Sequence, residues 1–497
     1  MTTITMPPDS HQAAGADRRP PALIIAVLAV SGIIAAGTQT LIVPLIGQLP
    51  AILGAAPDDT AWAITATLLA AAVAVPIAGR LGDMLGKKQV LLASLIPLIV
   101  GSVLCAAAGS LDLMIAGRAL QGLGMGVVPL GISLLREVVP AKQIGSAVAT
   151  MSASMGIGGA IALPFAATIA EYASWRIMFA VFAALTALAF LLILWLVPTG
   201  AGRVRAARFD VAGALLLSAG LAALLLPISK GAAWGWGSPL TLGLFAAAAL
   251  LLGYWVRQQL QSSQPLVNLR SLRNRQVVLT NLASLMIGFA MYGQSLILPQ
   301  LLQLPTSTGY GLGQSMLQMA LWLVPGGVVM MFISPLGARI TASRGPRATL
   351  ALGALAVGAG YGASLLLLGS TWGIMVAIMI INVGVGLAYG AIPMLIMGAV
   401  PTAETGAATS FNTLIRSIGS SGASAVTGAV LAAMTTTTSG GTVPSLPGFR
   451  LALIIGGAVA LLAVAVIVFL PRHRAPRAEP SHEPSAATPA ELATVTA

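Results

Sequence analysis

Long apolar runs separated by short polar turns dominate this sequence. Fourteen can be read, at 23–46, 60–79, 89–109, 111–135, 145–169, 175–197, 211–229, 239–256, 277–302, 315–337, 348–368, 372–398, 405–432 and 449–470. A helix needs about 20 apolar residues to cross the hydrocarbon core of a bilayer. The pattern therefore predicts an all-α integral membrane protein. The runs are continuous rather than alternating, which excludes an outer-membrane barrel. Only 8% of residues are charged against 57% hydrophobic, with a mean hydropathy of +0.94. A soluble domain carries about 25% charged residues, so a water-soluble globule is excluded too.

The formal net charge of +12 raises the question of nucleic acid. Placement answers it. With the N-terminus assigned to the cytoplasm, 20 Lys and Arg fall in cytoplasmic segments and only Arg176, Lys230 and Arg450 outside; Arg118 and Arg416 lie inside spans. Positive charge collects on the cytoplasmic side of membrane proteins. Both termini are thus expected in the cytoplasm, in a bacterial plasma (inner) membrane, with no nucleic-acid partner. Cys105 lies within an apolar run and reads as a small inert side chain.

The expected organisation is a polar tail (1–22) without a cleavage pattern, a six-helix bundle (23–198), two inserted helices (199–257), a basic linker (258–276), a second six-helix bundle (277–471) and a disordered tail (472–497). Thr435–Thr442 reads as a low-complexity, mobile loop. The two bundles repeat each other. Gly109-Ser110 and Gly369-Ser370 stand 260 residues apart, as do Gly124/Gly126 and Gly384/Gly386. Val139-Pro140 and Gly145 match Val400-Pro401 and Gly406 one residue out of step. Such duplication is how many secondary transporters are built, with the cargo site between the halves.

The turn from Gly79 to Lys88 carries the most specific signal. Gly79-x-Leu81-x-Asp83-x-x-Gly86-Lys87-Lys88 resembles the loop 2–3 motif of the major facilitator superfamily, and Arg118-Ala-Leu-Gln121-Gly122-x-Gly124 is similar to its helix 4 motif. Ser174-Trp175-Arg176, Phe209-Asp210 with Gly213-Ala214-Leu215, and Pro265-Leu266-Val267 before Arg270 are similar to sequences of its fourteen-helix drug:proton antiporter branch (EmrB/QacA type). The resemblance implies two six-helix bundles with an extra pair between them, and export of small amphipathic compounds by alternating access. It also implies that Asp83 meets the positive N-terminal end of the helix beginning near Thr402 and latches the carrier. Glu404 stands close enough to compete. Gly79 and Gly86 are expected to let helices 2 and 3 approach, and Lys87 and Lys88 to meet anionic headgroups. In the degraded second copy, Thr341 or Ala342 stands where the acid would be.

Two departures bear on coupling. In the helix 5 motif Gly159 and Pro164 fit, but Leu163 and Ala166-Ala167 replace glycines. Helix 1 reads Ala36-Gly37-Thr38-Gln39-Thr40 where the branch has an aspartate. No Asp, Glu or His falls mid-membrane in the fourteen spans, whereas proton-coupled carriers commonly titrate such a group. Asp58, Asp59 and Asp112 at the outer mouth remain as coupling candidates, with solvated loop charges as the plainer reading. Proton antiport and proton-independent export of anions or neutral metabolites both stay open; a non-transporting sensor would need a sizeable soluble domain.

An arginine in the bilayer core must face the interior or a cavity. Arg118 and Gln121 share one helical face, and Asn412 and Arg416 another. Each arginine either lines a transport pathway or bonds to helix carbonyls as structural glue. Gln39, Thr40, Tyr292, Gln294, Asn382 and Tyr389 are further pathway candidates. No metal cluster, phosphate loop or catalytic grouping is legible, which speaks against an enzyme, a cofactor and a primary pump. The partners implied are a small-molecule substrate, the bilayer and, in the antiport reading, protons, with the chain a monomer.

Overall fold

The computed structural model describes residues 20–45, 49–55, 57–60, 62–199, 209–272, 274–438 and 441–471. The tails expected before residue 20 and from 472 lie outside them. Fourteen long helices are present among the described residues. The first half holds α1 (Pro21–Thr40), α2 (Trp62–Leu85), α3 (Lys87–Ala107), α4 (Leu111–Leu123, continuing through a 3-10 turn into Val127–Val138), α5 (Ile144–Tyr172) and α6 (Arg176–Leu196). Then come α7 (Val211–Trp234) and α8 (Pro239–Gln261). The second half holds α9 (Arg275–Gln303), α10 (Met316–Arg344), α11 (Pro346–Leu366), α12 (Thr371–Met397), α13 (Thr405–Ala433) and α14 (Leu446–Val468). Thirteen are long and apolar enough to cross a membrane; α13 has the length but too polar a sequence.

The repeated Gly-Ser pairs have a physical meaning. The Ser110 and Ser370 hydroxyls accept the N–H of Leu113 and Gly373, each satisfying an orphan donor at the start of α4 and α12. The tight α2–α3 and α10–α11 turns each pass through a glycine at positive φ, Gly86 at 108° and Gly345 at 83°. A side chain there would be strained.

Helices α2 and α13 pack together across the two halves, as do α5 and α10. Close approach needs glycine at these seams: a Cβ on Gly79 would stand 2.6 Å from the Gly406 carbonyl oxygen. Gly79 therefore serves contact with α13, not the expected approach to α3. Of the inserted pair, α7 packs on α2, α13 and α8. Leu217, Leu221 and Leu225 of α7 share an apolar core with Leu266 and Val267 of the following segment and Ile396, Ala408 and Leu414 of the second half.

That segment is less loose than a basic linker. Asp210 caps α7 through Gly213 N–H and accepts from the amides of Gln258 and Gln259, while Gln259 accepts the N–H of Val267. The tract expected to be mobile is instead an antiparallel hairpin, β1 (Thr435–Thr438) with β2 (Gly441–Pro444), registered Thr435 opposite Pro444. β-Branched threonines favour extended backbone, and this outweighs the low complexity of the tract.

Candidate functional site

At the end of the bundle bearing most of the basic turns, Asp83 is 1% exposed. Its carboxylate accepts the N–H of Gly406 at 3.0 Å and of Ala407 at 2.8 Å, in the first turn of α13. Those donors have no intrahelical partner, and the helix dipole adds positive potential there. Lys87 lies 3.6 Å from Asp83, and its Nζ donates to Glu137 of α4. Lys87 is 2% exposed, so it is spent on this pair and is not available to headgroups. Lys88 keeps a more open position and donates to the Leu194 carbonyl. Burial of the ions is tolerated because each lies beside an opposite charge, although Glu137 Oε2 is buried without a hydrogen-bond partner.

Around this knot, Arg136 donates to the Thr405 hydroxyl at 2.9 Å, and Ser133 and Thr409 share a hydrogen bond at 2.8 Å. Glu404 does not compete with Asp83; it accepts from Asn268, in the segment after α8. Leu81 packs on the apolar core of the first half. In the second copy the Thr341 hydroxyl bonds to Thr349 within its own half. Among the described residues the two halves are thus tied at the basic end by Asp83 of the first hairpin copy together with Arg136 and Ser133 of α4.

Toward the middle, and on the far side of this seam, a cavity of about 180 Å³ opens between the halves. Gln39 of α1, Tyr292 of α9, and Tyr389 and Arg416 of α12 and α13 all line it. The Arg416 guanidinium carbon lies 4.6 Å from the centre of the Tyr389 ring, over its face, and the Tyr389 hydroxyl donates to the Met291 sulfur. Gln39 donates to the Met125 sulfur.

Other expected residues lie elsewhere. Arg118 is buried inside the first half, where it donates to the carbonyls of Ala63 and Thr38 and to Gln121, which in turn donates to Ser102. Asn412 donates to Asn281 and Ser284, joining α13 to α9. Asn382 and Thr40 donate to carbonyls of their own helices, and Gln294 is buried off the cavity. Pro164 lies inside α5, and Gly159 has a methyl of Thr40 as its near neighbour. Asp59 and Asp112 are exposed at the end opposite the knot. Asp58 sits in the same short helix as Asp59, its side chain outside the described residues.

Part of the lining was missed in the sequence. Ser417, Ser420, Ser421 and Ser424 form one wall, and their spacing of three, four and seven is a helical stripe that could have been read. Leu225, Ile228 and Ser229 of the inserted α7 form another, with Ser229 hydrogen-bonded to Thr65 of α2 at 2.9 Å. Nothing in the sequence signals that an inserted helix reaches the cavity.

A fourteen-helix bundle of two repeated halves, tied at one end and hollow between them, is the architecture of a membrane carrier. Residues 28–425 match the Major Facilitator Superfamily, and the chain belongs to that family, whose members are transporters rather than enzymes. An uncharacterized MFS-type transporter of Mycobacterium tuberculosis is 30% identical over 56% of this chain and 40% of its own length. A multidrug resistance protein B homolog of the same species is 29% identical over 62% of this chain and 56% of its own. The chain thus spans about half the length of these relatives. The human organic anion transporter MFSD10 shares the fold, with a TM-score of 0.63 at 15% identity, over 90% of this chain and all of that one.

Proposed function

We propose that the chain is a secondary active exporter of small amphipathic compounds, of the fourteen-helix multidrug kind, working by alternating access in a bacterial cytoplasmic membrane. The observation that carries this reading is the pairing of a cavity between the halves with a closed seam at one end. Asp83, Lys87, Glu137 and Arg136 hold that seam, and the cavity combines apolar walls with a polar side made by the α13 serines, Gln39, Tyr292, Tyr389 and Arg416, as suits a site for amphipathic small molecules. Positive charge at the seam supports an orientation in which the closed end faces the cytoplasm. The resemblance to a multidrug resistance protein B homolog agrees with export of this kind.

Alternating access then needs the Asp83 contact to break. Its donors belong to helix backbone, so separation of α2 from α13 breaks it. Arg118 plays a structural part in this reading, since carbonyls and Gln121 consume its donors. No carboxylate lines the cavity among the described residues. Coupling to protons therefore has no obvious carrier there, and an exchange of one organic solute for another is the alternative mode. Transport by purified protein in liposomes, loaded with unlabelled solute and supplied with labelled solute outside, tests the reading. Counterflow above that of empty liposomes supports it, and no counterflow for any of a broad panel of amphiphiles contradicts it. Repeating the assay with a pH gradient separates antiport from exchange.

A further inference from the structure

We infer that the cavity selects organic anions, with Arg416 receiving a carboxylate carried on an apolar body about the size of one or two rings. The inference takes the cavity to be the cargo site of the proposed exporter and names the class of cargo.

Arg416 and Arg118 are opposite cases of one residue type. Every described contact of Arg118 ends on a carbonyl or amide oxygen of its own half. The Arg416 guanidinium has no hydrogen-bond or ion-pair partner among the described residues; it lies over the face of Tyr389. With no described protein acceptor, the guanidinium N–H groups are available to a ligand, and their fork matches a carboxylate in bidentate fashion. Tyr292 lines the same space, and its hydroxyl likewise has no described partner. It is a second donor for an anionic head.

The remaining walls say what the rest of the ligand is. Leu68, Val75, Val128 and Met155 are apolar. Ser417 and Ser421 donate to the carbonyls of Thr413 and Ser417, so they offer lone pairs to the cavity rather than protons. They suit a hydroxyl or N–H on the ligand body and would not hold its anionic end. A volume of about 180 Å³ exceeds the roughly 150 Å³ of an apolar cavity that takes up benzene. A cation would meet Arg416 with no carboxylate among the described lining residues to offset it.

Binding to the full-length purified protein is measured by calorimetry with three probes of one shape: 1-naphthoate, 1-naphthamide and 1-naphthylmethylammonium. The expected result is naphthoate binding at least tenfold tighter than the amide, with the ammonium weakest. Arg416→Met is expected to abolish the difference between naphthoate and amide, Arg416→Lys to retain part of it, and Tyr292→Phe to reduce it several-fold. Equal binding of the three probes, preference for the ammonium, no binding of any at millimolar concentration, or an anion preference that survives Arg416→Met would overturn the inference. The wild-type comparison stands even where a variant does not fold. Anion-selective binding without counterflow supports the inference while sinking the exporter reading; cation counterflow without anion preference does the reverse.

Discussion

Asp83 accepts the backbone N–H of Gly406 at 3.0 Å, so a side chain of α2 terminates the backbone of α13 across the boundary between the halves. With the second bond to Ala407, this contact joins a buried carboxylate to the positive end of a helix. It holds the two halves together at one end while the cavity lies between them further along.

Replacing Asp83 by Asn keeps the shape but removes the charge and one acceptor. Counterflow by Asp83→Asn is expected to fall more than tenfold, with probe binding within twofold of wild type and the same amount of protein in the membrane. Parallel loss of membrane protein and of counterflow would assign Asp83 to folding instead.

Gly79 faces the same seam. A Cβ there would stand 2.3 Å from the Ser410 hydroxyl and 2.6 Å from the Gly406 carbonyl oxygen, and the backbone atom cannot rotate away. Overpacking of this kind costs about 1–3 kcal/mol. Gly79→Val is expected to hold the basic end apart while the bundle stays folded, read as increased labelling of a cysteine introduced at Thr409 by a water-soluble maleimide.

The two intramembrane arginines should separate in their phenotypes. Arg118→Met strands the Gln121 amide oxygen and the Thr38 carbonyl in a buried site and removes one of the bonds to the Ala63 carbonyl, and leaving buried polar groups unpaired costs about 1–3 kcal/mol each. Lower thermal stability in detergent is expected, with little change in ligand preference among the molecules that fold. A change of selectivity at unchanged stability would place Arg118 in the pathway after all.

Asp210 supplies a pH dependence. Partial burial pushes its carboxyl up, but hydrogen bonds from Gly213, Gln259, Gln258 and Leu266 together outweigh this and hold it below the ordinary value of 3.8. A carboxyl depressed in the folded state stabilises above its unfolded value and loses that contribution as pH falls through the folded one. Asp210→Asn is expected to lower the melting temperature at pH 7, with the gap to wild type closing as pH drops below about 3.8. A gap independent of pH would show that packing, not charge, is what Asp210 supplies.

The helices were legible because membrane spans announce themselves by length and apolarity. Even α13, too polar for a hydropathy criterion, was read as the run 405–432 between two turns. The turn glycines and Ser110 and Ser370 were legible because local backbone chemistry decides them. The site was legible only in part, since spacing gives a face but not the neighbour on that face. Asn412 and Arg416 lie four residues apart, yet Asn281 and Ser284 capture the first while the second turns to Tyr389 and the cavity. Glu404 looked like a rival to Asp83 because its partner, Asn268, lies 136 residues away in sequence. Contacts of that range are set by how bundles dock, which no local pattern reports.

The central claim, that Asp83 holds the basic end shut and that its release opens it, is tested most directly by a distance. Lys142 and Ala403 are exposed in the turns α4–α5 and α12–α13 of opposite halves. With Cys105 replaced by Ala, spin labels at these two positions report the gap by pulsed electron resonance in nanodiscs. One short distance is expected in the wild-type background, and a second population about 10 Å or more longer after Asp83→Asn, the scale of a rocking carrier. An unchanged distribution after Asp83→Asn would contradict the account.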